Sequence, residues 1–383
     1  MTLAPLPTPA LRLARIEAFV FRCPIATPVR TSFGVMHDRP ALYVRAEDTE
    51  GAVGWGEIWC NFPSCGAEHR ARLVETVFAP LATSRTFTGP AEAFDWLSAK
   101  TAVLAIQAGE PGPMAQAIAG IDLALWDLCA RRAQQPLWRY LGGTRDTVRP
   151  YASGINPDRP QDVVAARRAE GYRAFKLKVG FGRARDLANV AALRSLLGDG
   201  TPLMVDANQA WDLDEALATA PALAEAGIGW LEEPLRADRS WDEWQRLARS
   251  ATPPLAAGEN LLGGPSFDAA IASGTLRVLQ PDLAKWGGIS GCWPVIARGQ
   301  AAGLRYCPHF LGGGVGLLAS AHVLAAAGGD GLLEIDANPN PLRTALMGPL
   351  ATLDDGSCAL GEAPGIGVVP DLADLAERAA QGC

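Results

Sequence analysis

The sequence predicts an α/β protein in two parts, a closed TIM-type barrel of parallel β/α units preceded by an N-terminal α+β domain. Three observations lead there. Short apolar runs recur eight times between residues 148 and 335, spaced by roughly 20–30 residues with helical stretches between them, the period of consecutive β/α units. Residues 14–58 carry strand-like runs followed by a long helical stretch, a different texture. From the second barrel run to the eighth, every run ends in an ionisable residue, and such barrels carry their chemistry at the C-terminal ends of their strands.

In chain order, residues 16–22 mix apolar and β-branched side chains as a strand does, and 41–47 and 51–57 read as strands flanking a turn at 48–51. A loop is expected over 24–40. From 67 to 106 the spacing is helical, with Leu73, Val77, Leu81, Phe94, Leu97 and Val103 as buried positions. Residues 114–132 form a strongly apolar helix expected to bridge the two domains. The barrel strands are expected at 148–153, 174–179, 203–205, 229–231, 255–257, 276–279, 304–307 and 331–335. Eight units in about 200 residues favour closure over an open doubly wound sheet. The glycine-rich run 312–316 follows a late strand, so it reads as a tight strand-to-helix turn and not as a dinucleotide fingerprint. Domain limits follow at 1–135, 136–350 and 351–383.

Composition narrows the function. The 383 residues are 49% hydrophobic and 20% charged, the balance of a folded chain. A net charge of −7 without any basic run leaves no footprint for nucleic acid. The first fourteen residues hold three prolines and lack the basic-then-apolar order of a signal peptide. The apolar stretch 310–329 is crowded by glycines and interrupted by His322, so no membrane association is expected. Eight cysteines without zinc-type spacing fit reduced thiols in a cytoplasm.

The strand ends carry Lys176 and Lys178, Asp206 and Asn208, Glu232 and Glu233, Glu259, Asp282, His309, and Glu334. Because side chains alternate along a strand, Lys176 and Lys178 project together, as do Asp206 and Asn208, whereas Glu232 and Glu233 cannot both point inward from an extended chain. Asp206, Glu232 and Glu259, from three neighbouring strands, are expected to converge, and an all-oxygen set selects Mg²⁺ to relieve their repulsion. Two bases flank that point. The ammonium of Lys178 is expected to have a lowered pKa beside Lys176. His309 is expected to give one ring N–H to Asp282 and keep its other nitrogen free. His322, inside an apolar stretch, reads as a core residue.

Taken together, Lys176-x-Lys178, Asp206-x-Asn208, Glu232-Glu233-Pro234, Gly258-Glu259, Pro281-Asp282-x-x-Lys285-x-Gly287-Gly288, Pro308-His309 and Glu334 resemble the mandelate racemase subgroup of the enolase superfamily over nearly the whole chain. The resemblance implies a modified (β/α)7β-like TIM barrel, an N-terminal capping domain, and a C-terminal segment near 361–369 that returns to it. It implies Mg²⁺ on Asp206, Glu232 and Glu259, with Lys178 and the His309–Asp282 dyad as opposed acid/base catalysts. Lys176 and Asn208 would contact a substrate carboxylate, and Glu334 would hydrogen-bond it. The two-lysine arrangement of muconate cycloisomerase and dipeptide epimerase relatives is absent, since Asp282 stands where they carry a lysine.

The reaction so implied is removal of the proton α to a carboxylate, which a side-chain base achieves only if the enediolate charge is stabilised. Dehydration of a hydroxy or sugar acid to a 2-keto acid is favoured over racemisation or epimerisation of a 2-hydroxy acid. A non-catalytic carboxylate-binding barrel is a reading of another class. Specificity is expected from the 24–40 loop and residues 59–64, with Arg30, His37, Trp59, Asn61 and Phe62 as the residues expected to face the substrate. The expected partner is a small-molecule carboxylate, and the expected assembly a homo-oligomer.

Overall fold

The computed structural model describes residues 10–31 and 34–382, with the backbone alone for Thr27 and Arg30. Most of the N-terminal stretch assessed for a signal peptide, and the side chain of Arg30, lie outside the described residues.

The N-terminal domain is built on an antiparallel sheet ordered β3-β2-β1-β4, from β1 (Leu11–Arg30), β2 (Val35–Asp48), β3 (Val53–Ile58) and β4 (Thr86–Phe87). The first two strands are longer than expected. Their register runs from Leu13↔Asp48 to Arg30↔Val35, so most of the expected 24–40 loop is hairpin. The register shifts once between Leu13 and Arg15 and again between Pro24 and Val29, where Pro24 and Pro28 have no N–H to give a ladder.

Helices α1 (Gly66–Leu73), α2 (Ala79–Thr83), α3 (Pro90–Ala108) and α4 (Pro111–Arg132) complete this domain, with a π-wound turn over Val74–Phe78. On α3, Ala93, Leu97 and Thr101 form the buried stripe, which leaves Val103 69% exposed and corrects its expected burial. Helix α4 lies directly on the sheet because Gly54, Gly56 and Gly120 carry no side chains there. A Cβ at Gly56 would come 2.7 Å from the Ala124 nitrogen.

After the short α5 (Leu137–Tyr140) and β5 (Thr147–Val148), eight parallel strands follow, each within two residues of its expected place. They are β6 (Pro150–Ile155), β7 (Phe175–Lys178), β8 (Leu203–Asp206), β9 (Leu231–Glu232), β10 (Leu255–Ala257), β11 (Val278–Leu279), β12 (Arg305–Tyr306) and β13 (Leu333–Asp336). The sheet order is β12-β11-β10-β9-β8-β7-β6-β13. Across the β12/β13 seam, the Leu332 N–H donates to Cys307 Sγ at 3.3 Å. Helices α6 (Pro160–Ala169), α7 (Arg183–Leu197), α8 (Leu213–Glu225), α9 (Trp241–Ala248), α10 (Gly264–Ala272), α11 (Gly288–Ala301) and α12 (Gly314–Ala327) alternate with them. The 310–329 stretch becomes α12, buried on nearly every side, and among the described residues no helix is long and apolar enough to cross a membrane.

The chain ends with α13 (Pro341–Thr344), β14 (Cys358–Ala359), antiparallel to β5, and α14 (Leu372–Gln381), which packs against β1. Among the described residues, Cys60, Cys65, Cys129, Cys292, Cys307 and Cys358 are free thiols.

The period-two alternation of the strands divides the barrel interior into layers. Tyr151, Ala174, Met204, Trp230, Ala256, Val278, Cys307 and Leu332 pack into an apolar floor of their own. Two residues further along their strands stand Ser153, Lys176, Asp206, Glu232, Gln280 and Glu334, all buried. The apolar floor therefore ends in a layer of charge at the C-terminal mouth.

Candidate active site

Lys176 is the hub of that layer. Its ammonium, 5.5 Å from the Tyr151 ring centroid, sits 2.6 and 2.7 Å from the two Glu232 oxygens, 2.8 Å from Glu334 Oε1 and 3.9 Å from Asp206 Oδ2. Burial opposes its charge, but the surrounding carboxylates hold it well above the ordinary lysine range. Glu232 also accepts from Gln280 Nε2 at 2.6 Å and Trp230 Nε1 at 3.1 Å. Burial nevertheless pushes its carboxyl up to about 7.

Lys178 faces the other side of Asp206. It donates to Asp206 Oδ2 at 2.7 Å and to Asn208 Oδ1 at 2.6 Å. Its expected pKa lowering is not found. Burial and Lys176 both act in that direction, but the adjoining carboxylates, Asp206 above all, outweigh them and raise it. Asn208 leaves β8 with φ +44° and donates to Asp206 Oδ2 at 3.0 Å.

On the opposite side of the mouth, His309 follows β12. Its Nδ1 is 2.7 Å from Asp282 Oδ2, as expected. Asp282 Oδ1 meanwhile accepts the Ala284 and Lys285 N–H groups and so fixes its own loop. The other ring nitrogen is not free, because Glu259 Oε2 contacts Nε2 directly. Burial disfavours the imidazolium, but Glu259, Glu334 and Asp282 raise the His309 pKa well above its ordinary value. Glu334 accepts from Ser153 Oγ and from the Phe310 N–H at 3.1 Å.

Asp206 and Glu232 are buried and stand in direct register on β8 and β9, and the Glu259 side chain is 11% exposed. Each carboxylate meets its own cationic side chain: Lys178, Lys176 and His309 respectively. Among the described residues, no three acidic, histidine or cysteine side chains form a ready-made metal cage. The donor chemistry fits a hard cation nonetheless, being all oxygen with no thiolate.

Glu233, Asn260, Ser153 and Gln280 join the site without having been singled out for it. Glu233 leaves the extended conformation at φ +38°, so both adjacent glutamates are buried. Asn260 Nδ2 donates to Glu233 at 2.8 Å and to Glu259 at 2.7 Å, and Asn260 Oδ1 accepts from Lys285 Nζ at 2.7 Å. The Lys285 ammonium lies 4.7 Å from the Trp59 ring centroid, which places Trp59 at the rim. Asn61 holds the Leu311 carbonyl at 2.6 Å, and His37 is exposed. For Ser153 and Gln280 the signal was available: each stands two residues beyond a floor residue.

His322 is a core residue as expected. Its Nδ1 accepts the Trp138 N–H at 3.1 Å, and burial lowers its pKa to about 4.

A charged layer of this make-up at the mouth of a parallel barrel, closed over by an α+β domain, defines an enzyme of the enolase type. Residues 15–142 match the mandelate racemase/muconate lactonizing enzyme N-terminal domain, and residues 160–375 match the enolase C-terminal domain-like family. The chain belongs to the mandelate racemase/muconate lactonizing enzyme group of the enolase superfamily.

Among its relatives, the 3,6-anhydro-alpha-L-galactonate cycloisomerase of Streptomyces coelicolor is 32% identical, over 96% of this chain and 99% of its own. The D-galactarolactone cycloisomerase of Agrobacterium fabrum is 30% identical, over 94% and 96%. The arabinonate dehydratase of Saccharolobus solfataricus is 27% identical, over 86% and 88%. A solved mandelate racemase/muconate lactonizing enzyme from Bordetella bronchiseptica is 61% identical with a TM-score of 0.93, covering 97% of this chain and 100% of that one. A racemase from Streptomyces coelicolor, solved with bound magnesium, is 30% identical with a TM-score of 0.84, covering 95% and 99%.

Proposed function

We propose that this enzyme removes the proton α to the carboxylate of a sugar-derived acid and expels the oxygen on the β carbon, giving a 2-keto acid by net loss of water. The observation that carries this reading is the separation of two proton-transferring groups. Lys178 reaches the acidic cluster from β7 beside Asp206, and the His309–Asp282 pair reaches it from beyond β12 beside Glu259. In this reading Asp206, Glu232 and Glu259 would hold Mg²⁺, as the bound ion in the Streptomyces racemase structure supports. That ion would supply the positive charge that makes a second negative charge on the substrate carboxylate tolerable.

Lys178 takes the α proton as the neutral amine, the form left when its ammonium has given up a proton and Asp206 no longer holds it charged. His309, held as an imidazolium, gives its proton to the departing β oxygen. Lys176 orients the carboxylate, and Asn208 and Glu334 fix its edges.

A second reading shares the first step. Where the β oxygen belongs to a ring, the same elimination opens the ring and leaves the oxygen tethered, a cycloisomerisation. The two cycloisomerase relatives, matched over nearly their whole length, favour it. The test is incubation with Mg²⁺ and a panel of sugar acids, their lactones and their anhydro forms in D₂O, followed by NMR and a 2-keto acid assay. Keto acid from an open-chain acid supports dehydration, and ring opening without net loss of water supports cycloisomerisation. Deuterium in an inverted product selects racemisation. Intact Mg²⁺ binding with no exchange on any panel member returns the protein to a binding role.

A further inference from the structure

Two glycine-rich turns directly follow the dyad, and neither helix that starts there caps itself. Helix α11 begins after Gly287, beyond Asp282, and α12 after Gly313, beyond His309; at neither start does a side chain of the turn accept an N–H. By contrast Asp212, Ser240, Asn340 and Asp371 each cap their own helix.

The missing acceptors come from the other domain. Glu57, on β3, accepts the N–H groups of Gly313 and Gly316, the latter at 2.7 Å. Asp122, on α4, accepts those of Ile289 at 2.7 Å and Ser290 at 3.0 Å, together with the Ser290 hydroxyl. Both carboxylates are buried, at 2% and 1% exposure.

The glycines leave them room. A Cβ at Gly312 would lie 2.7 Å from Glu57 Oε1, one at Gly313 2.9 Å from the same oxygen, and one at Gly288 would collide with the Asp122 carboxylate. Further ties grip the same turn: Asn61 Nδ2 to the Leu311 carbonyl at 2.6 Å and Asn340 Nδ2 to the Gly312 carbonyl at 2.9 Å.

We propose that the N-terminal domain positions both members of the His309–Asp282 dyad by capping, in trans, the two barrel helices that follow them, through Glu57 for α12 and Asp122 for α11. Both are positioning residues, and the proposal rests on the dyad reading above. A carboxylate at a helix N-terminus satisfies otherwise unpaired N–H donors and the positive end of the helix dipole. Here it also fixes the loop from which a dyad residue projects. Docking of the capping domain and alignment of the dyad become one event.

The test uses Glu57→Gln and Asp122→Asn in the full chain at pH 8, without substrate. Loss of a cap should speed amide exchange in the 309–318 peptide, or the 284–293 peptide, by about tenfold. The ¹⁵N signals of the His309 ring, assigned with His309→Asn, should move in both variants, and Glu57→Asp should restore them in part. Ring signals coincident with wild type in both variants, alongside faster amide exchange, would reduce the two acids to structural ties and overturn the proposal. Unchanged amide exchange would overturn it as well. Should either variant fail to fold, Asn61→Ala and Ser290→Ala each remove one tie from the same turns and are read the same way. Because the ring is observed without substrate, failure of the elimination reading on the acid panel shows separately.

Discussion

Replacing Lys176 by methionine removes the cation that stands between Glu232 and Glu334. Its ammonium makes contacts of 2.6, 2.7 and 2.8 Å with these two acids and is 1% exposed, so water cannot take its place. Removing one partner of a buried ion pair costs about 3–5 kcal/mol, because the other charge is left uncompensated. The variant can escape part of that cost by protonation. Glu232 already titrates at about 7 with Lys176 present, and losing the lysine raises it further. The folded variant then binds protons that its unfolded chain releases near pH 4.5, so its stability falls as pH rises, by about 1.4 kcal/mol per unit for each such proton. Wild-type Glu232 already holds its proton below about pH 7, so urea unfolding in EDTA should show a loss of about 3–5 kcal/mol at pH 8 that shrinks by about 1.4 kcal/mol at pH 5.5. An equal loss at both pH values, or one below about 1 kcal/mol, would refute the reasoning that this layer is held by charge compensation.

Asp336 anchors a second buried cluster, accepting from Arg39 of the N-terminal domain and from Arg343 at 3.3 Å. Asp336→Asn should lower stability by about 3 kcal/mol in thermal unfolding, and recovery in the double variant with Arg39→Met would identify the uncompensated charge as the cause. Gly56→Ala forces a methyl into the α4 backbone and should cost about 1–3 kcal/mol by urea unfolding, whereas Gly142→Ala, with nothing within 4 Å, has only its φ of +87° to oppose it and should cost less. Burial pushes the Glu57 and Asp122 carboxyls up to about 7 from 4.5 and 3.8. They bind protons more tightly folded than unfolded, so their contribution is full below about pH 4 and is lost as pH rises through 7. Glu57→Gln should flatten the stability-against-pH curve between pH 4.5 and 7, and an unaltered slope would contradict that assignment.

The barrel was legible because its signals are local. Period-two alternation and the recurrence of strand, turn and helix place Lys176, Asp206, Glu232 and Glu334 in one inward layer with no knowledge of tertiary contacts. What escaped depends on partners distant in sequence or on a departure from regular backbone. Glu233 enters the site through a positive φ that alternation cannot foresee. The pKa of Lys178 and the second nitrogen of His309 are governed by carboxylates 28 and 50 residues away, Asp206 and Glu259. Glu57 and Asp122 look like ordinary sheet and helix acids until the glycine turns, more than 160 residues on, are seen to receive them. Val103 carries the right residue type at the wrong helical angle.

One Mg²⁺ shared by Asp206, Glu232 and Glu259 is central to the proposed function, and metal titration tests it most directly. Calorimetric Mg²⁺ titration of the metal-stripped protein should give one site per chain, lost or weakened by at least about tenfold in each of Asp206→Asn, Glu232→Gln and Glu259→Gln. Wild-type affinity in any one of the three folded variants, or no binding by the wild type at millimolar Mg²⁺, would contradict it.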